Sequence, residues 1–234
     1  MAWHAKPYGA YTLGSADWID NLNMIIGLCP GWTAEAIAGM VGNMQHESGL
    51  NPWRWEGDSV GATYGNGYGL PQFTPARDYI NLPGATPNLS TSTTTAGASP
   101  DDGTRQMQAI DSDELGKWVS DCWRFQSWST ITYSGLYQYR NEILNLYGNG
   151  SSITFSQFKA CNDVDACAFI WLACYEGPGV PNYTPRQNTA RLIYQNYMGG
   201  VLPPTPDPPT PDPPSGVHVP FWLLKKAIDN ATRY

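Results

Sequence analysis

The spacing of apolar residues predicts two amphipathic helices in the first fifty residues. Residues 16–28 form the first helix, which the sequence Cys29-Pro30-Gly31 ends because Pro and Gly both disfavour continuation. Thr33 is an N-cap residue type, and the helix after it ends at Gly49 and Pro52. The apolar positions recur at helical spacing in both segments: Trp18, Leu22, Ile25 and Ile26, then Ile37, Met40, Val41 and Met44.

The pattern changes after residue 52 and becomes helical again after residue 103. Glycines, aromatic residues and short β-branched runs in residues 53–80 predict loops and a small hairpin. Residues 82–102, rich in Thr, Ser, Pro and Gly, predict an exposed or flexible insertion. Helical periodicity resumes in five segments: 104–126, 133–147, 155–160, 164–175 and 185–198. We therefore expect a mainly α, α+β fold in which one lobe is helical and a small lobe is β-rich.

A proline-rich segment divides the chain into three parts. Residues 203–214 contain eight prolines in a TPDPP repeat, which favours a semi-rigid polyproline II spacer; a WW or SH3 ligand is the alternative. We expect a domain over residues 1–200, a linker over 201–216 and a short amphipathic helix over 217–234. Because a lone helix of that length is marginal in water, it needs another chain, a membrane surface or a further domain.

Composition narrows the classes of ligand. Charged residues make up 14% and aromatic residues 13% of the chain, and the net charge is −7. An acidic chain without a stripe of Lys and Arg does not neutralise phosphates, which argues against nucleic acid as a partner. Numerous Trp and Tyr rings suit neutral, hydroxylated ligands such as sugars, although a Trp-rich core is an equally good interpretation of any single ring.

The sequence predicts neither a metal centre nor a cofactor. The five cysteines are odd in number and include no CxxC pair, which argues against zinc. We expect inert buried thiols rather than a disulfide framework. The N-terminal residues lack the basic and apolar regions of a signal peptide, and no apolar run is long enough to cross a membrane.

Glu47, in the segment NMQHESGLNP (residues 43–52), is the candidate acid. At about 100° per residue it lies about 70° from the centre of the apolar stripe of its helix. Partial burial there would disfavour the charged carboxylate and raise its pKa, as a glycosidase requires of the group that protonates the leaving oxygen. The alternative is a solvated glutamate at a helix end.

Two further segments carry candidate ligand contacts. In YGNGYGLPQFTP (residues 64–75), glycines allow close approach of the backbone to a ligand, and Gln72 offers an amide for sugar groups. Without a following Lys/Ser pair, this segment is not a phosphate-binding loop; a plain glycine-rich hairpin is the alternative. In ACYEGPG (residues 173–179), Tyr175 is placed to face a cleft, or else to pack at a helix C-cap.

The motifs ESGLNP, GLPQF and CYEGPG, in that order, resemble those of goose-type lysozymes and soluble lytic transglycosylases. They resemble the phage tail lysozyme family more closely, over about residues 14–199. The resemblance implies a lysozyme-like fold whose small β-rich lobe flanks a substrate cleft. It also implies that Glu47 is the catalytic acid, that Gln72 binds substrate and that Tyr175 lies beside the acid. Glu176 stands where many transglycosylases have Asn, so the branch of the reaction stays open.

These expectations combine into a peptidoglycan-cleaving enzyme. Glu47 would protonate the glycosidic oxygen between N-acetylmuramic acid and N-acetylglucosamine. A second carboxylate about 6.5–9.5 Å away would activate water for hydrolysis, with Asp58 the first candidate, before Asp78 and Glu176. Without such a base, the muramyl 6-hydroxyl would attack, as in lytic transglycosylases. The expected substrate contacts are Ser48, Trp55, Tyr68, Gln72, Tyr175 and Glu176, with Trp53 and Tyr64 as further walls.

The expected partner is the glycan strand of bacterial peptidoglycan. The family resemblance implies a location in the virion, at the phage tail, or outside the cell at the host wall. The segment 217–234 would then contact tail-tip proteins. An endolysin, a prophage-encoded wall remodeller and a non-catalytic glycan-binding module of the virion are the alternatives.

Overall fold

The computed structural model describes residues 2–5, 13–58, 65–89, 101–121, 134–178 and 180–199. This part of the chain is mainly helical, as the sequence predicts. Its α-helices are α1 Ala16–Gly27, α2 Ala34–Glu47, α3 Ala76–Ile80, α4 Asp102–Asp111, α5 Ser134–Tyr147, α6 Phe155–Lys159, α7 Val164–Trp171 and α8 Tyr183–Tyr197. A 3₁₀ turn spans Glu56–Asp58, and a π turn over Leu172–Glu176 continues α7.

Helix α2 lies at the centre of the fold. Thr33 caps it as predicted, because the Thr33 side chain accepts a hydrogen bond from the backbone N–H of Ala36. Every residue from Ala36 to Met44 is buried, so the prediction of a single apolar stripe was too narrow. The reason is tertiary: α7 and α8 both pack against α2 and against each other.

Two glycines of α2 allow this close packing. A Cβ atom on Gly39 would lie 2.5 Å from the backbone carbonyl carbon of Cys167 in α7. A Cβ atom on Gly42 would lie 2.7 Å from the Cβ of Ala190 in α8. Both distances are too short for real atoms, so any larger residue at either position would push the helices apart.

The predicted helix over 104–126 was wrong in its second half. Helix α4 ends at Asp111, and Asp113 adopts a left-handed conformation with φ of 49°. The Asp113 carboxylate then accepts hydrogen bonds from the backbone N–H groups of Lys117 and Trp118, at 2.8 and 3.1 Å. These bonds hold the chain in a turn, an option that Asp offers in competition with helix. Residues 122–126 lie outside the described part.

The predicted β-rich lobe contains little β-structure. In its described residues the pairing consists of two isolated antiparallel bridges, Trp55–Tyr68 and Tyr68–Phe73. The lobe also contains α3, which the sequence did not predict because a five-residue helix after Pro75 is too short for a periodic signal. We call residues 53–58 and 65–89 the loop lobe.

The prediction of an exposed insertion over 82–102 fits Pro83, Gly84, Thr86 and Leu89, which are exposed, but was wrong for two residues. Asn88 is buried, and Asp102 is completely buried. The Asp102 carboxylate accepts hydrogen bonds from the hydroxyls of Tyr68 and Tyr79, at 2.8 and 2.6 Å. It also accepts from the Gln106 side chain at 2.9 Å and the backbone N–H of Thr86 at 3.0 Å. Four donors compensate the desolvation of one carboxylate, which is why it is tolerated in the interior between α4 and the loop lobe.

The thiols of the described part are buried, and burial makes that of Cys29 unreactive. Cys29, Cys161, Cys167 and Cys174 are buried, and Cys29, Cys161 and Cys167 form no disulfide. Burial, and then the nearby Asp111 carboxylate, raise the pKa of the Cys29 thiol to about 12. Since only the thiolate is nucleophilic, Cys29 is inert at neutral pH.

No helix of the described part is long and apolar enough to span a bilayer.

The linker over 201–216 and the segment over 217–234 lie outside the described residues, as do Tyr64 and Cys122.

Candidate active site at the end of helix α2

A cleft of about 470 Å³ lies where the end of α2 meets the loop lobe. Such a volume is within the usual range for small-ligand sites. Four parts of the chain form the walls: Glu47 at the end of α2, residues 54, 56–57 and 71–74 of the loop lobe, Lys117, and residues 175–178 of the π turn and the loop after it. The predicted residues Glu47, Gln72, Tyr175 and Glu176 therefore meet in one cleft.

Glu47 is the last residue of α2 and is held from two sides. Its side chain is 21% exposed, and Oε1 accepts a hydrogen bond from Nη2 of Arg186 at 2.5 Å. Its backbone carbonyl accepts a hydrogen bond from Nη1 of Arg54 at 3.1 Å. The sequence predicted that this carboxylate is partly buried. The structure also places an opposite charge, the Arg186 guanidinium, against it.

Arg186 comes from α8 and is buried. Its Nη1 donates to the backbone carbonyl of Asn43 at 3.2 Å and to the Asn43 side-chain oxygen at 3.4 Å. The Asn43 amide nitrogen in turn donates to the carbonyls of Gly39 and Ala168, at 2.8 and 3.0 Å. Helices α2, α7 and α8 are thus joined by buried polar contacts directly behind Glu47.

Gln72 lies in a tight turn of the loop lobe with φ of 49°. Its Nε2 donates to the carbonyls of Arg54 and Gly69, at 3.1 and 3.0 Å. Because both amide hydrogens are directed at the backbone, Oε1 is the atom that Gln72 has left for a ligand. Gly67 lies against this amide: a Cβ atom there would lie 2.9 Å from Oε1.

The π turn brings two side chains to the opposite wall. Trp171, fully buried at the end of α7, stacks on Tyr175 with ring centroids 4.2 Å apart. The Trp171 indole N–H donates to Oε1 of Glu176 at 2.8 Å. Gly177 then takes a left-handed conformation with φ of 58° and ends the turn. Such widened helical turns recur at functional sites because they redirect side chains.

The loop lobe also contributes a carboxylate to the cleft, that of Glu56, which the sequence analysis did not predict. Glu56 accepts a hydrogen bond from the backbone N–H of Gly67 at 2.8 Å through Oε2. Its own backbone N–H donates to the Gly67 carbonyl at 2.9 Å, which fixes the residue at both ends. Asp58 ends the same 3₁₀ turn, but its side chain lies outside the described part. Asp78 pairs with Lys117 at 3.3 Å and is absent from the cleft wall.

Three of the predicted substrate contacts lie elsewhere. The Ser48 hydroxyl is buried and donates to the Leu70 carbonyl at 2.8 Å. Trp55 and Tyr68 are completely buried and pack on each other at 4.7 Å. The Trp55 indole N–H donates to the Asn88 carbonyl, and the Tyr68 hydroxyl donates to Asp102. Ser48, Trp55 and Tyr68 therefore stabilise the loop lobe. Trp53, which was also predicted to line the substrate site, is fully buried as well.

Sequence reasoning missed four charged residues of the site: Arg54, Glu56, Lys117 and Arg186. Arg54 and Glu56 alternate with Trp53 and Trp55 in the sequence WRWE, and that alternation was the available signal. No sequence signal pointed to Arg186, because it lies 139 residues from Glu47 in the chain. Within the described residues, no cluster of His, Cys, Asp and Glu has the size that a metal ion needs.

Comparison with known proteins shows the family of this chain. Residues 21–197 match the phage tail lysozyme family. Over 172 residues the chain is 30% identical to Morphogenesis protein 1 of Bacillus phage B103, a match that covers 72% of this chain and 36% of that protein. The chain thus corresponds to about a third of this relative. The matched region contains α2, the loop lobe and the π turn, and the chain belongs to the phage tail lysozyme family.

Proposed function

We propose that this protein is a muramidase that cleaves the β-1,4 bond between N-acetylmuramic acid and N-acetylglucosamine in peptidoglycan. The observation that carries the proposal is the meeting of Glu47, Gln72, Tyr175 and Glu176 in one cleft. They come from three separate segments, the same three that resemble lysozyme motifs. Membership in the phage tail lysozyme family supports the same chemistry.

In the proposed reaction, Glu47 acts as general acid. Its proton goes to the glycosidic oxygen, the bond from that oxygen to the muramyl anomeric carbon breaks, and positive charge develops on the muramyl ring. Water then adds to the anomeric carbon and loses a proton to a second carboxylate, so hydrolysis consumes one water per bond. General acid catalysis of this kind contributes about 10²–10⁴-fold in rate.

We propose that the second carboxylate belongs to the turn over residues 56–58. Asp58 is the candidate that the sequence suggested, and Glu56 is a carboxylate of the cleft wall whose backbone and side chain are both bound to Gly67. Glu176 also lines the cleft, and its carboxylate likewise accepts one hydrogen bond, from Trp171. The Glu56 carboxylate lies in the wall that Gln72 also forms, so it suits a role as base.

Gln72 and Tyr175 are the proposed substrate contacts. With Nε2 of Gln72 directed at two backbone carbonyls, its Oε1 accepts a hydrogen bond from the substrate. The N–H of an N-acetyl group and a sugar hydroxyl are both suitable donors. Tyr175 presents a ring already stacked on Trp171, and therefore needs little further ordering when sugar binds.

Replacement of the acid tests the proposal. Glu47→Gln should lower the rate of wall cleavage about 10²-fold or more, because the amide cannot donate the required proton. Zymography and turbidity loss on purified peptidoglycan measure it. Glu35→Gln is the matched control: Glu35 lies at the other end of α2 and also accepts a hydrogen bond from α8, from Tyr194 at 2.6 Å.

We expect Glu35→Gln to retain wild-type activity. Cleavage by Glu47→Gln within a few-fold of wild type would contradict the role of Glu47. A folded wild-type chain that binds peptidoglycan without clearing it would instead indicate a non-catalytic glycan-binding module.

The products identify the branch of the reaction. Mass spectrometry of the released muropeptides should show reducing N-acetylmuramic acid ends if water is the nucleophile. A 1,6-anhydro end would mean that the muramyl 6-hydroxyl attacked, and the protein would be a lytic transglycosylase. Comparison of Glu56→Gln with Asp58→Asn tells which carboxylate acts as base, because only that variant should lose the reducing product.

We further propose that the enzyme acts in the phage tail during penetration of the host wall. The name of the B103 relative, a morphogenesis protein, supports association with virion assembly. Antibody labelling of purified virions tests this: signal at the tail is expected, and signal only in lysates before assembly would point to an endolysin.

A further inference from the structure

We propose that Arg186 is a positioning residue that determines which oxygen of Glu47 carries the catalytic proton. The inference rests on the proposed role of Glu47 as general acid. Its basis is the ion pair between Nη2 of Arg186 and Oε1 of Glu47, at 2.5 Å, immediately behind the cleft.

The chemistry of the guanidinium group fixes the direction of this hydrogen bond. Arginine has five N–H donors and no acceptor, so Oε1 of Glu47 must accept. A proton on Oε1 would face the Arg186 donor and is disfavoured. Among the described residues, Arg186 is the one hydrogen-bond donor to this carboxyl group. The transferable proton therefore resides on Oε2.

The same contact acts after proton transfer. Once the proton has gone to the sugar oxygen, Glu47 is left as a carboxylate in a site where it is largely buried. The Arg186 cation stabilises that carboxylate by a charge-assisted hydrogen bond. Arg186 thereby favours the state reached along the reaction without contacting the substrate.

Arg186 can do this because it is held in place. Its side chain is 9% exposed, and its Nη1 is bound to the backbone and side chain of Asn43. Asn43 is itself fully buried and bound to the Ala168 carbonyl of α7. Since a small misplacement of a catalytic group can cost about 10²-fold in rate, a fixed guanidinium has a clear kinetic value.

Variants of two arginines on α8 test the inference. Arg186→Ala should lower kcat about 10–100-fold on purified peptidoglycan while KM changes less than about 3-fold, because Arg186 does not line the cleft. Arg191→Ala is the matched control. Arg191 lies on the same helix, is 22% exposed, and forms an ion pair with Asp165 at 2.5 Å outside the cleft wall. We expect it to keep wild-type kcat.

Rescue separates positioning from a purely structural role. Guanidinium ion at a concentration too low to denature should restore part of the kcat of Arg186→Ala, and should not affect Arg191→Ala. If Arg186→Ala does not fold, Arg186→Lys is compared with Arg191→Lys. A single ammonium group cannot bind Asn43 and Glu47 in the same geometry, so kcat should fall about 5–10-fold for Arg186→Lys alone.

The outcomes distinguish the two proposals. A folded wild-type chain without cleavage overturns the muramidase proposal, and the role of Arg186 with it. Wild-type cleavage together with equal kcat for the Arg186 and Arg191 variants overturns the role of Arg186 alone. A loss of kcat without rescue by guanidinium assigns Arg186 to folding rather than positioning.

Discussion

A missing side chain at Gly67 sets the position of Gln72. A Cβ atom on Gly67 would lie 2.9 Å from Oε1 of Gln72 and 3.1 Å from the Thr74 hydroxyl oxygen. The Gln72 amide is otherwise fixed by two hydrogen bonds to backbone carbonyls. Gly67 does not line the cleft, but the absence of a side chain there determines where Oε1 of Gln72 lies in the cleft.

Gly67→Ala should consequently weaken substrate binding. We expect KM for peptidoglycan fragments to rise about 10-fold, which corresponds to the loss of one good hydrogen bond. Steady-state kinetics on soluble muropeptides measure it. Gly135→Ala, at an open position of α5, is the control and should leave KM unchanged. An unchanged KM for Gly67→Ala would show that Gln72 does not bind substrate through this acceptor.

Residue type alone did not distinguish the residues that line the cleft from those that are buried in the core. The sequence suggested Gln72 and Tyr175 as contacts, and both line the cleft. It suggested Trp55 and Tyr68 with equal reason, and both are completely buried. An aromatic ring fits a sugar or a core equally well, so only the neighbours, Asn88 and Asp102 here, decide between the two.

The loop lobe shows how an element with little regular structure is held together. With two isolated bridges, it depends on side chains around the buried Asp102 carboxylate. Burial, followed by the charge of Asp102, raises the pKa of Tyr68 and of Tyr79. Both phenols therefore stay protonated and continue to donate to Asp102 at any physiological pH.

Asp102→Asn should destabilise the protein by about 3 kcal/mol. The amide has the same size, but one of its groups is a donor that meets the donors already present. Urea unfolding measures the difference in free energy. Glu142→Gln, on the exposed surface of α5, removes the same charge and should change stability by less than about 0.5 kcal/mol. Equal stability of the two variants would show that the network contributes little.

Sequence patterns predicted most helices well at the element scale. Helices α1, α2, α5 and α8 follow their predicted ranges within about two residues, because their caps and apolar spacing are local properties. The 104–126 helix failed where the Asp113 side chain competes for backbone N–H groups. Local competition of this kind leaves no periodic signal.

For the molecule as a whole, we predict that residues 1–200 form an autonomous catalytic domain. The proline-rich residues 201–216 favour an extended spacer that makes few contacts with its neighbours. A chain shortened to residues 1–200 should melt within about 2 °C of the full chain and cleave soluble muropeptides at the same rate. Calorimetry and kinetics test this. A chain that no longer folds would show that residues 201–234 are part of the domain.

The sequence by itself determined the helical class, the capping of α2, the placement of Glu47 at its end and the three motifs that resemble lysozymes. These depend on contacts within a few residues, where periodicity and capping act. Only the tertiary structure decided which side chains share the cleft and which charge faces the acid. Arg186 and Glu47 are separated by 139 residues and meet because α2 and α8 pack closely at Gly42. Pairing over such a distance depends on the packing of whole helices, and no local pattern records it.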